Sequence, residues 1–165
     1  MNVVIIILII VALLVLWWWF IGKNIPKYPP LDIKDDDPLM LEAIEKAKSS
    51  IGKFQKLYKA GGFSDVQIKI PFLSSSDVTE HLWAEVLGLN DSEVKVRYLT
   101  PPVTHTGKLE RIHDHPIQEI EDWVVVSESG DIFGGYSQRV MFVRGREQWG
   151  SLPPELEAQE SKYVT

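Results

Sequence analysis

The hydrophobic positions of the chain follow three rhythms. Residues 3–21, VVIIILIIVALLVLWWWFI, are nineteen consecutive apolar positions without a charge. A helix of that length rises about 28 Å, close to the hydrocarbon thickness of a bilayer, so a transmembrane anchor is expected. From Asp37 the period becomes that of an amphipathic helix, with Met40, Ile44, Ala47, Ile51, Phe54 and Tyr58 spaced 4, 3, 4, 3, 4 along one stripe. Asp37 is the expected N-cap, Pro38 the first helical residue, and Gly61 and Gly62 the stop. Glu42 and Glu45 near the start, and Lys53, Lys56 and Lys59 near the end, suit the helix dipole. Beyond Gly62 the period is two. VQIKIPF sets Val66, Ile68, Ile70 and Phe72 against Gln67 and Lys69. EHLWAEVLGL turns Leu82, Ala84 and Val86 inward, and VKVRYL does the same with Val94, Val96 and Tyr98. Residues 100–116, with Pro101, Pro102, Gly107 and Pro116, read as irregular, and DWVVV with DIFGGYSQRVMFV reads as a hairpin joined by SESG.

The predicted fold is α+β: an N-terminal transmembrane helix, then one amphipathic helix packed on an antiparallel sheet of about five strands. The expected organisation is an anchor over 1–22, a Pro-rich linker over 23–36, a folded domain over 37–144 and a mobile polar tail over 145–165, where Trp149 can pin part of the tail.

Composition narrows the function classes. With no cysteine, disulfides and thiolate metal sites are excluded. A net charge of −6 offers no basic surface to a phosphate backbone, so no nucleic-acid partner is expected, and no cofactor motif is present. Trp17, Trp18 and Trp19 suit the headgroup level at one end of the anchor. Lys23, Lys27 and Lys34 follow the span, which by the positive-inside rule predicts a single-pass inner-membrane protein with a cytoplasmic C-terminal domain. A signal anchor that exports the domain to the periplasm is the alternative.

DPLMLEAIEKAKSSIGKF, VQIKIPF, EHLWAEV, IEDWVVV and GGYSQRV, in this order and spacing, resemble the bacterial domain-of-unknown-function family typified by the YegJ protein. The resemblance runs from about Asp37 to Phe142 and implies a shared small α+β domain, with no established reaction. It singles out Glu80, His81, Trp83, Asp122, Trp123, Gly134, Gly135, Tyr136 and Arg139.

Three clusters carry candidate chemistry. Glu80 and His81 are neighbours on a strand, so their side chains leave opposite faces and cannot form an acid–base pair with each other. A catalytic His81 therefore needs Glu85, two residues on, or Asp122 across the sheet, and the enzyme reading is a membrane-anchored hydrolase. His113 and His115 project to one side of an extended chain and His105 supplies a third imidazole, a metal-like set set against the plainer alternative of solvated loop histidines. Gly134 and Gly135 inside a strand demand a bulge, a bend or a close approach. Either Trp123 fills the gap they leave, or Trp83, Trp123 and Tyr136 wall an aromatic groove in which Arg139 forks onto a carboxylate of a protein or peptide partner. The expected function is an interaction module tethered to the bilayer.

Overall fold

The computed structural model describes residues 10, 11, 13, 15–17, 27–34 and 36–164, in two units, Met1–Asp32 and Ile33–Thr165. In the first unit Ile10, Val11, Leu13, Val15, Leu16 and Trp17 are helical and each more than half exposed. Among the described residues no helix is long and apolar enough to cross a membrane, and the expected span over 3–21 lies largely outside them.

The second unit contains α1 (Pro38–Ser49), α2 (Ile51–Ala60), β1 (Phe63–Leu73), β2 (Thr79–Leu89), β3 (Glu93–Tyr98), β4 (Ile112–Pro116), a 3-10 turn (Ile117–Glu119), β5 (Asp122–Ser127), β6 (Ile132–Gly134), α3 (Tyr136–Trp149) and α4 (Pro154–Glu160). The strands form one antiparallel sheet in the order β4-β3-β2-β1-β5-β6. Ile68 is opposite both Ala84 and Trp123, and Val96 is opposite Val86, so one face carries a continuous apolar row. Phe54 of α2 and Ala47 of α1 complete that core.

The helical stripe behaves as its spacing predicts at both ends. The Asp37 carboxylate accepts from the Leu39 and Met40 amides at 2.9 and 3.4 Å, Pro38 opens α1, and Gly61 ends α2. The expected single helix is nevertheless two. The Ser49 and Ser50 hydroxyls bond back to the Lys46 and Ala47 carbonyls, each at 2.9 Å, and so compete with the helical ladder. At this break the Trp123 indole N–H reaches the Ala47 carbonyl and the Ser50 hydroxyl at 3.3 and 3.0 Å.

Three further expectations are corrected. Ile112–Pro116 is a strand: β4 pairs with β3 along a single side, where an edge position tolerates Pro116 and the polar residues that made it look irregular. The strand expected through DIFGGYSQRVMFV stops at Gly134, and a 14-residue helix begins at Tyr136. Its capping acceptor is Asp122, on the neighbouring strand β5, so the local sequence has no N-cap signature to read. The residues after Gly145, expected as a polar tail, carry regular structure: α3 continues to Trp149, α4 follows, and Tyr163 bridges Ile132 in parallel. The Ile132 amide donates to the Lys162 carbonyl at 2.8 Å and the Val164 amide to the Ile132 carbonyl at 3.0 Å, which covers the β6 edge. Leu152, buried, packs so closely that a Cβ at Gly145 would lie 2.7 Å from its Cδ2.

Candidate functional site

Strand alternation separates Glu80 from His81. Glu80 accepts from the Val103 and Thr104 amides at 2.8 and 2.7 Å and from the Thr104 hydroxyl at 2.6 Å, so it fastens the loop after β3. The Thr104 hydroxyl, with the two amides, holds its carboxyl below the ordinary glutamate value. His81 instead meets Glu121: Nδ1 is 2.6 Å from Oε2, with the imidazole 39% and the carboxylate 14% exposed. Glu121 precedes β5 and is set by its own amide, which donates to the Lys69 carbonyl at 2.8 Å. Neither expected partner serves His81. Glu85 pairs with Arg97 at 3.1 Å, and Asp122 is committed to α3. The sequence signal for Glu121 is its place directly before Asp122, one of the two acids expected to serve His81.

His81 lines a pocket of about 220 Å³ with Ile33, Lys34, Met40, Ile44 and Lys69. Ile33, Met40 and Ile44 are the apolar members of the lining, and Lys34, Lys69 and His81 the basic ones. Among the described residues neither lysine ammonium has an ion-pair partner, and His81 Nε2 has no hydrogen bond. Asp37 holds the adjoining start of α1 in place through a bidentate pair with Arg144 of α3, at 2.8 and 2.9 Å. That guanidinium, foremost, keeps the Asp37 carboxyl below its ordinary value.

The groove expected around Trp123 does not assemble. Trp83 neighbours Ala84 on β2 and so leaves the sheet on the face opposite Trp123. Trp123 is fully buried, against Phe54 with ring centroids 5.6 Å apart and edge-on to Tyr136 at 5.9 Å. Gly134, at φ +75°, lies under it: a Cβ there would be 2.1 Å from the Trp123 carbonyl oxygen and 2.6 Å from its ring. Gly135, at φ +63°, takes the left-handed turn into α3. Arg139 is engaged by backbone, donating to the Gly134 carbonyl at 3.1 Å and the Val164 carbonyl at 2.7 Å, with Tyr163 beneath its guanidinium at 5.1 Å. Asp122, fully buried, accepts from the amides of Trp123, Tyr136 and Ser137 and from the Ser137 hydroxyl, at 2.8, 3.1, 2.7 and 2.6 Å. Burial pushes its carboxyl up, and the four donors pull it back.

The three histidines divide. His113 and His115 share a side of β4, as their spacing requires, opposite Val96 and Val94. His115 joins the buried Tyr98 hydroxyl at 2.9 Å and Glu119 at 3.0 Å, while His113 meets the Glu110 carbonyl at 2.5 Å. His105 is elsewhere, edge-on to Phe72 and accepting from the Ser75 amide at 3.3 Å. Among the described residues no three potential ligands gather to hold a metal.

Together these features define a small α+β domain with helices packed on a six-stranded antiparallel sheet and a basic-rimmed pocket at the start of α1. The chain belongs to a bacterial family: residues 37–148 match the family model described as an uncharacterized protein conserved in bacteria (DUF2314). No curated protein and no solved structure matches it.

Proposed function

We propose that the protein is a membrane-tethered binding module, single-pass in the bacterial inner membrane through residues 3–21, whose YegJ-like domain receives a protein or peptide partner at the His81 pocket. The observation that carries the reading is the contrast within that pocket: apolar Ile33, Met40 and Ile44 beside Lys34 and Lys69, which have no ion-pair partner among the described residues, in a chain of net charge −6. The anchor reading rests on the nineteen uncharged apolar positions over 3–21, of which the described Ile10, Val11, Leu13, Val15, Leu16 and Trp17 are exposed. Lys23, Lys27 and Lys34 favour a cytoplasmic domain; a reporter fused after Thr165 that works only in an exported compartment refutes that orientation.

The binding site is testable because the chain has no cysteine. Single cysteines placed at Ile44, in the pocket, and at Ser129, on the exposed β5–β6 turn, are labelled with a photoreactive group in intact cells. An adduct of one defined mass is expected from position 44, absent from position 129 and lost in His81→Ala; equal adducts from both positions contradict the reading. The 2.6 Å bond from His81 to Glu121 favours a second reading, a hydrolase in which the oriented imidazole takes a proton from water. Turnover of a water-labile ester that is abolished by both His81→Ala and Glu121→Gln would favour it over the module.

A further inference from the structure

We propose, resting on the binding-module reading, that the group received by the His81 pocket is the free C-terminus of a polypeptide with an apolar last residue. Size sets the first limit. About 220 Å³ lies below the roughly 300–1,000 Å³ that encloses a whole small-molecule ligand, so the pocket takes an end-group and leaves the remainder of its ligand outside.

Chemistry sets the second. Glu121, as a carboxylate, only accepts, so the proton in its 2.6 Å bond belongs to His81 Nδ1, and an imidazole carrying no second proton has Nε2 as an acceptor. The pocket therefore offers one acceptor, two ammonium donors from Lys34 and Lys69, and an apolar wall from Ile33, Met40 and Ile44. A polypeptide C-terminus supplies the complement of all three: its last amide N–H for Nε2, its carboxylate for the lysines, and its last side chain for the wall. A fatty acid or a phosphate lacks the amide donor. An internal peptide segment lacks the carboxylate.

The full chain in nanodiscs of phosphatidylcholine is titrated with N-acetyl-Ala-Ala-Leu bearing a free carboxylate, with the same peptide as its C-terminal amide, and with inorganic phosphate, while the Ile44 and His81 amide resonances are followed. The free acid is expected to shift these resonances and to bind at least about tenfold more tightly than the amide or phosphate, the scale of one charged hydrogen bond. Lys69→Gln is expected to weaken binding of the free acid and so to cut the preference for acid over amide. Acid and amide binding alike overturns the proposal, as do phosphate competing on equal terms and unchanged discrimination in Lys69→Gln. If discrimination is absent while the photoadduct from position 44 persists, the pocket is a binding site for another chemistry. Loss of both overturns the module reading as well.

Discussion

The cluster around Trp123 and the pocket around His81 are built from the same kinds of side chain, aromatic, acidic and basic, yet they hold them in opposite states. In the first, Trp123 and Asp122 are fully buried, the indole N–H and all of the carboxylate's acceptor capacity are used, and Arg139 closes on two backbone carbonyls. In the second, His81 is 39% exposed and, among the described residues, one of its ring nitrogens has no hydrogen bond and the two lysines that share the lining with apolar side chains have no counter-ion. A satisfied polar network in the interior fixes a fold. A half-satisfied one at a concave surface leaves interaction free energy for a ligand.

Substitutions can break this comparison at several points. The largest effect is expected from Gly134→Ala. It combines a side chain at φ +75° with a Cβ 2.1 Å from the Trp123 carbonyl oxygen, and should lower unfolding free energy by about 3–5 kcal/mol, from strain plus overpacking. A urea midpoint close to wild type would show that Trp123 is not pinned there.

Asp122→Ala removes the acceptor of four hydrogen bonds and the cap of α3, for an expected loss of about 2–4 kcal/mol by the same measurement. The carboxyl also gives a pH signature. Burial raises its pKa from 3.8, so the folded state keeps a proton that the unfolded chain has released. The stabilisation linked to that proton is complete below the unfolded value and is lost as pH rises through the folded one. Wild type should therefore lose stability relative to Asp122→Asn as pH rises from the unfolded value of 3.8 through the raised folded one. Glu80 has the opposite sign: its lowered pKa contributes stability above 4.5 that is lost on acidification.

Arg139→Ala should cost about 1–3 kcal/mol through its two carbonyl partners and should speed amide exchange at Val164, the segment that covers β6. If that change instead abolished ligand binding at wild-type stability, the aromatic groove would have to be reinstated. At the other end of the scale, His81→Ala should change stability by under about 1 kcal/mol, because the imidazole it removes is 39% exposed.

Much of the fold was legible because it is written in local periods. The cap at Asp37, the stripe through Phe54 and the alternation of β1, β2 and β3 each depend on residues a few positions apart. What escaped depends on remote partners. The N-terminus of α3 is capped from β5, 14 residues upstream of Tyr136, and β4 is recognisable as a strand only once β3 lies beside it. The break at Ser50 was legible in principle, since paired serines bonding back to i−3 carbonyls disturb a helix. The site shows the same division. Alternation correctly separated Glu80 from His81 and put His113 and His115 on one side, but the choice of Glu121 over Asp122 turns on how β5 is entered. Likewise, Trp83 and Trp123 could be assigned to opposite faces only after the register of β1 with both neighbours was known.

The central claim is that the working site is the His81 pocket, held apart energetically from the Trp123 core. It is tested most directly by measuring stability and binding on one variant, Lys69→Gln, in the full chain. An unfolding free energy from urea denaturation within about 0.5 kcal/mol of wild type is expected, together with at least about tenfold weaker binding of the free-acid peptide. Unchanged affinity together with a large loss of stability would contradict it, and would place Lys69 in the scaffold.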